Sequence, residues 1–162
     1  VKSHLFLIDI FKEYQLFNPN SILILVGDGE RKSEIMSYIN SLGLSNKVLL
    51  LGRRKDVELI LNVFDVFVFP SKSEGLGIAL LEAQVNGLPV VASDQIPKKA
   101  KVLDNFKFMS LNDSPKNWAS LINNMDKQRD LKGYEKVMNC GYDIREEAKK
   151  LEALYHKLLL KK

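Results

Sequence analysis

The sequence predicts an α/β fold, a doubly wound parallel sheet with helices on both faces. Three observations predict it. Short apolar runs, SILILV, KVLLL, DVFVF and PVVA, recur along the chain. Amphipathic stretches at helical spacing separate them. Three of the runs end in loops of unusual chemistry, Gly27-Asp28-Gly29, Gly52-Arg53-Arg54-Lys55 and Ser71 to Gly77. Strands alternating with helices imply right-handed crossovers. In such sheets the ligand lies at the carboxyl ends of the strands, where these loops are.

The elements follow in order. Residues 4–17 read as an amphipathic helix, with Leu5, Ile8, Phe11 and Leu16 near helical spacing, and Asn18-Pro19-Asn20 ends it. Residues 21–26 form a continuous apolar strand, the pattern of a strand covered on both faces. A helix over 30–42 follows, capped by Gly43, then a second strand over 47–51. Asp56 is placed as the N-cap of a short helix reaching Asn62. A third strand covers 65–69, a helix 76–86, a fourth strand 89–92 and a short fifth 106–109. Ser114-Pro115 opens a helix through Met125, with proline in its first turn. Trp118 on that helix is assigned to the core or the sheet. Residues 126–140 are polar and read as one short helix. The last helix spans 144–160, with Leu151, Leu154, Tyr155 and Leu158 on one face.

Composition bounds the function. At 162 residues the chain is one domain with room for a proper core. The net charge of +4 suits anionic small molecules or a membrane surface, and equally a solvated basic face such as Lys98-Lys99-Ala100-Lys101. No long basic tract with interleaved aromatics is present, which disfavours nucleic acid. Cys140 alone forms no intrachain disulfide and suits a reducing compartment. His4 and His156 are far apart and make no metal pattern. No apolar run approaches ~18 residues, so no membrane span is expected. The chain opens in a helical pattern without methionine and reads as a piece of a longer protein.

The chemistry centres on the junction between the third strand and its helix. Ser73-Glu74-Gly75-Leu76-Gly77 puts small residues where the helix begins. Free N–H groups and a partial positive charge at a helix start favour phosphate. Gly75 and Gly77 remove side chains that would keep a phosphate from the backbone. Glu74 would repel a bare phosphate, so its expected task is to accept hydrogen bonds from neighbouring hydroxyls. Glu82 lies eight residues on, about two helical turns, and one ligand must be long to meet both acids. Phosphates between two hydroxyl-bearing parts describe a nucleotide-sugar. Gly27-x-Gly29 also invites a dinucleotide reading, but the third glycine of that fingerprint falls at Lys32 and no acid directly follows the second strand.

The stretch PSKSEGLGIALLEAQVNGLPVVAS resembles the donor-binding signature of family 4 retaining glycosyltransferases, which have the GT-B fold. The parts are Pro70-Ser71 after a strand, Glu74-Gly75-x-Gly77, a second acid at Glu82, Gly87-x-Pro89 and an apolar strand. Leu76 stands where an aromatic is common. IFKEY, LVGDGE, SDQIP and the Trp118 helix look most like bacterial capsule or exopolysaccharide transferases.

This resemblance implies a Rossmann-like domain over 1–162, the C-terminal, donor-binding half of a two-domain enzyme. It implies sugar transfer from a nucleoside diphosphate to an acceptor hydroxyl with retention, and neither cofactor nor metal. Implied partners are the nucleotide-sugar, an N-terminal acceptor domain of the same polypeptide and a lipid-linked acceptor at the inner face of the membrane, in the cytoplasm. Backbone amides of Gly75, Leu76 and Gly77, with Lys2, are expected at the phosphates. Glu74 is expected at the donor sugar, as the catalytic group steadying charge at the reacting carbon. Glu82 is expected at the ribose hydroxyls. Gly27 and Gly29 are expected to line the donor cleft, and Arg53 to lie near the base. His4 as a catalytic base is disfavoured, since that group belongs to the family's other domain. A nucleotide-sugar epimerase, or a non-catalytic nucleotide-binding module of the same fold, is the alternative. In the family a strand precedes the first helix and lies between the strands at 21–26 and 65–69, and this chain starts after it. A gap there, closure of the neighbours, or a strand from another chain are the three expectations.

Overall fold

The computed structural model of the chain describes residues 2–160. Seven α-helices and five strands alternate through them. In order they are α1 His4–Phe17, β1 Leu23–Val26, α2 Lys32–Ser41, β2 Val48–Gly52, α3 Val57–Ile60, β3 Phe67–Phe69, α4 Ile78–Val85, β4 Val90–Ser93, β5 Phe106–Met109, α5 Pro115–Asn124, α6 Gly133–Val137 and α7 Ile144–Leu159. All strand pairing is parallel.

The sheet is divided. β1 pairs with β2, and β3-β4-β5 form a separate ladder. Among the described residues no strand lies between β1 and β3, so the first of the three expectations holds. The second edges of β1 and β3 instead border a cleft of about 730 Å³. The single continuous sheet read from the sequence is corrected accordingly.

The three-stranded part is covered on both faces. β4 is buried throughout, and its residues alternate between two cores. Val90 and Ala92 pack with Leu80 and Ala83 of α4, Leu88 and Phe106. Val91 points the other way, to Ile10 of α1 and Trp118 and Ile122 of α5. This is the period of two expected of a strand between two helical layers. Trp118 is fully buried, donates from its indole nitrogen to the Ser110 carbonyl at 2.9 Å, and meets the Phe6 ring edge-on at 5.8 Å. An aromatic so placed satisfies its polar edge and its apolar body together.

The two-stranded part has one finished face. Ile8 and Phe11 of α1 and Ile35 and Ile39 of α2 cover Val48 and the inward residues of β1. The other face leaves Leu49 46 % and Leu51 38 % exposed. The expectation that β1 is covered on both sides is therefore not met, because nothing in the described chain sits beside its second edge. α1 spans the division, sending Ile8 and Phe11 to one core and Ile10 to the other.

Two local expectations are corrected. Asp56 caps no amide; its carboxylate takes a bidentate pair from Arg54 at 2.9 and 2.6 Å. The helix read as starting at Leu76 starts at Ile78, because Gly77 takes a left-handed conformation at φ 75° and serves as N-cap. A Cβ at Gly77 would also stand 2.8 Å from Leu80 Cδ1.

Residues after β5 brace α4. Arg129 donates to the carbonyls of Leu61, Asn62, Phe64 and Asn86 and to the Asn86 side chain. Gly87, at φ 74°, passes so close to Asp130 that a Cβ would lie 2.3 Å from its carbonyl oxygen. Gln84, buried in α4, donates to the Leu80 and Ala100 carbonyls and accepts from the amides of Val102 and Leu103. The helix that carries Glu82 is thus fixed at its far end and along its inner side. α7 has no buried residue; Leu151, Leu154, Tyr155 and Leu158 are 50–60 % exposed along one face. Cys140 is exposed.

Candidate functional site

The cleft between β1 and β3 runs the length of both strands. Lys2, Gly27, Arg53 and Glu82, four of the residues singled out from the sequence, line it together. Each arrives by a different element. Lys2 precedes Ser3, the only non-glycine residue at positive φ among those described, and Ser3 is the N-cap of α1. Backbone in that conformation is costly and is held where the surroundings fix it. Gly27 follows β1 and ties its amide to the Gly52 carbonyl after β2 at 2.8 Å, which joins the two loops. Arg53 follows Gly52 and is exposed, whereas Arg54 is taken up by Asp56. Glu82 stands exposed on α4.

Gly29, Glu74, Gly75, Leu76 and Gly77 do not line this cleft. Glu74 is joined to it by Lys2, whose Nζ lies 2.6 Å from Glu74 Oε1 and 4.5 Å from the centre of the Phe69 ring. Ser71 donates to the same oxygen at 2.7 Å. Partial burial by itself would raise the Glu74 carboxyl; the bonds from Lys2 and Ser71 outweigh it and hold the group below the ordinary 4.5. Glu74 is therefore an anion at neutral pH, with 14 % of its side chain exposed.

The start of α4 keeps donors available. Gly75 is exposed, and among the described residues the amides of 75–77 donate to no other group. A Cβ at Gly75 would meet nothing within 4 Å and its φ is ordinary, so the fold itself does not demand glycine there. Gly29 donates its amide to Asp28 Oδ1 at 3.0 Å and closes the turn before α2.

Other residues line the cleft too. His4, disfavoured as a base from the sequence, is one of them, and burial first, then Arg31 and Lys2, lower its pKa below 6.5. Asp28, Arg54 and Pro70, from the loops and motif noted in the sequence, line it as well, as does Ala79. The lining thus includes the cations Lys2, Arg53 and Arg54 and the Glu82 carboxylate. Among the described residues no three His, Cys, Asp or Glu side chains come together as a metal cluster. The arrangement can hold an anionic, hydroxyl-bearing ligand at the sheet's carboxyl edge.

Comparison with known proteins gives the family and the fold. A family profile described as "Glycosyl transferases group 1" matches residues 1–147. The chain is 34 % identical over 158 residues to the Escherichia coli UDP-Gal:alpha-D-GlcNAc-diphosphoundecaprenol alpha-1,3-galactosyltransferase, covering 89 % of this chain and 39 % of that protein. The chain thus spans about two fifths of this relative's length. Its fold is similar to that of the pneumococcal O-GlcNAc transferase GtfA in complex with UDP and GlcNAc, with a TM-score of 0.78 over 98 % of this chain and 33 % of that one, at 20 % identity. It also matches Anabaena HepE in complex with UDP and glucose, with a TM-score of 0.73 at 25 % identity, over 94 % of this chain and 45 % of that one. The Rossmann-like α/β reading of the fold holds. The profile spans nearly the whole chain and includes the strand–loop–helix junction at its centre: the chain belongs to the glycosyl transferases group 1 family.

Proposed function

We propose that this chain is the donor-binding half of a retaining glycosyltransferase that moves a sugar from a nucleoside diphosphate to an acceptor hydroxyl in bacterial surface-polysaccharide assembly. The observation that carries this is the meeting of Lys2 and Glu74 beside the exposed Gly75 ahead of α4, with Glu82 of that helix lining the cleft. The amides of Gly75, Leu76 and Gly77 and the Lys2 ammonium take the diphosphate. Their preorganised positive charge stabilises the leaving group in place of a metal. Glu82 accepts from the ribose hydroxyls, Arg53 lies near the base, and Gly27 and Gly29 shape that wall. Glu74 accepts from the sugar hydroxyls and steadies positive charge at the reacting carbon.

The donor and acceptor classes are carried by the relatives. UDP appears with both solved structures described above, and the Escherichia coli relative is named for a lipid-linked diphosphate acceptor. A lipid-linked acceptor places the enzyme at the inner membrane surface; no helix among the described residues is long and apolar enough to cross a membrane. The acceptor half belongs to the rest of the polypeptide. One feature of this chain suits such a partner, the apolar face of α7. On this reading residues 1–162 alone transfer no sugar.

Calorimetric titration of the full-length enzyme with UDP-, GDP- and ADP-sugars, with EDTA present, tests the proposal. Saturable binding of one nucleotide class and sugar transfer in EDTA support it. No binding of any of the three, or transfer that stops in EDTA and returns with a divalent ion, contradicts it.

A further inference from the structure

Behind Glu74 stands a short column of buried hydroxyls. Ser71 and Ser93 are both fully buried polar side chains. Ser93, at the end of β4, donates to the Ser71 carbonyl, and Ser71 Oγ lies 2.7 Å from Glu74 Oε1 and 3.2 Å from the Ser73 carbonyl oxygen, the Glu74 contact being the shorter. The two serines are 22 residues apart in sequence; Ser93 ends β4, and Ser71 lies in the loop just after β3, the neighbouring strand of the ladder. Lys2 reaches the same Oε1 from the opposite quarter, from a side chain that is 47 % exposed. One carboxylate oxygen thus has two anchors of different kinds. One is a neutral donor rooted in the best-buried part of the sheet. The other is a mobile-stemmed cation at the mouth of the cleft.

Resting on the donor-binding reading above, we propose that Ser71, braced by Ser93, is the positioning residue for Glu74, and that Lys2 is shared between Glu74 and the donor phosphates. When a diphosphate draws Lys2 away, Glu74 loses its cation but keeps the Ser71 bond. Its Oε1 stays fixed, and its other oxygen, which carries neither of these two bonds, is presented to the sugar. Ser71 itself touches no ligand. A hydrogen bond from a buried hydroxyl to a carboxylate is among the stronger neutral-to-charged contacts. Glu74 also sets a cost on nucleotide binding, because the phosphates must compete with it for Lys2.

Two consequences distinguish this from a merely structural serine. First, Ser71→Ala removes the hydroxyl that holds Glu74, so the two mutations are strongly non-additive. In the full-length enzyme, Ser71→Ala lowers kcat/KM for sugar transfer by about 10- to 100-fold. Added to Glu74→Ala, it lowers kcat/KM by no more than about twofold further. Second, the affinity for UDP without sugar is unchanged within about twofold in Ser71→Ala, and rises several-fold, to about tenfold, in Glu74→Gln, which releases Lys2.

The measurement is a double-mutant cycle in kcat/KM, paired with calorimetric titration by UDP and by whichever of UDP-glucose, UDP-galactose or UDP-N-acetylglucosamine the wild type binds most tightly. Ser93→Ala, one bond further back, gives the same pattern at smaller amplitude and serves if Ser71→Ala does not fold. Additive losses in the cycle, or equal losses of UDP and UDP-sugar affinity in the serine variants, overturn the proposal, as does weaker UDP binding by Glu74→Gln. A wild type that binds none of these ligands contradicts the donor-binding reading instead.

Discussion

The two parts of the sheet differ in how far this chain finishes them. β3-β4-β5 has helices on both faces and a central strand with no exposed residue. β1-β2 has helices on one face only and leaves leucines of β2 half in water. Both were written in the same apolar code, SILILV and KVLLL against DVFVF and PVVA. What separates them is a missing neighbour. A parallel strand buries its faces only when its edges are paired and crossover helices lie over it, and β1 has one edge paired. The better-built part carries Glu74 and Glu82; the less finished part offers Gly27 and Arg53 across the cleft.

Mutations should feel this asymmetry. The largest effect is expected at Trp118, whose truncation opens a hole between α1, α5 and β4. Trp118→Ala should lower stability by about 3–5 kcal/mol in urea denaturation, whereas Leu49→Ala on the open face of β2 should cost no more than about 1 kcal/mol because little burial is lost. Equal costs would mean that the two parts are equally packed in solution.

Next comes the brace on α4. Arg129→Met leaves the carbonyls of Leu61, Asn62, Phe64 and Asn86 without their donor, and a loss of about 1–3 kcal/mol is expected. A change within about 0.5 kcal/mol would show that water replaces the guanidinium at no cost.

The two glycines before α4 sharpen the contrast between fold and site. Gly77→Ala meets a left-handed backbone and Leu80, and should destabilise by about 1–2 kcal/mol. Gly75→Ala meets nothing, should leave the melting temperature within about 2 °C, and should act only on phosphate affinity. A Gly75→Ala protein that melts early would refute the division of roles.

The smallest effect is electrostatic. The folded-state pKa of Glu74 is lowered, so its contribution to stability is fully present above 4.5 and is lost as pH falls below that through the folded value. Removing the half-exposed partner with Lys2→Met should cost roughly 0.2–1 kcal/mol at pH 7. The difference from wild type should shrink as acid protonates Glu74. A difference that grows below pH 4.5 would reverse the assigned sign.

Much of this was readable from residues alone, for physical reasons. α1 and β5 fall on 4–17 and 106–109 because helical spacing, the Asn18-Pro19 stop and a short apolar run are local signals. Glu82 and the glycines follow from a strand–turn–helix written in consecutive letters. What was not legible depends on chain segments far apart. Ser93 falls just after the strand read over 89–92, with no role until its hydroxyl is seen on the Ser71 carbonyl. Arg129 sits in a polar stretch with no period, and its role exists only because α4 and the turn after α3 converge on it. The late start of α4 needed the left-handed Gly77, and Asp56 was drawn from capping to Arg54 by a charge two residues away.

The central claim is that the start of α4 holds the diphosphate of a nucleoside diphosphate sugar while Glu82 holds its ribose. Calorimetric titration of UDP into the full-length enzyme and its Glu82→Ala variant tests it most directly. The account predicts saturable binding by the wild type and a loss of about tenfold or more in the variant, the cost of a charged acceptor withdrawn from two hydroxyls. Equal affinity for the two proteins would contradict it.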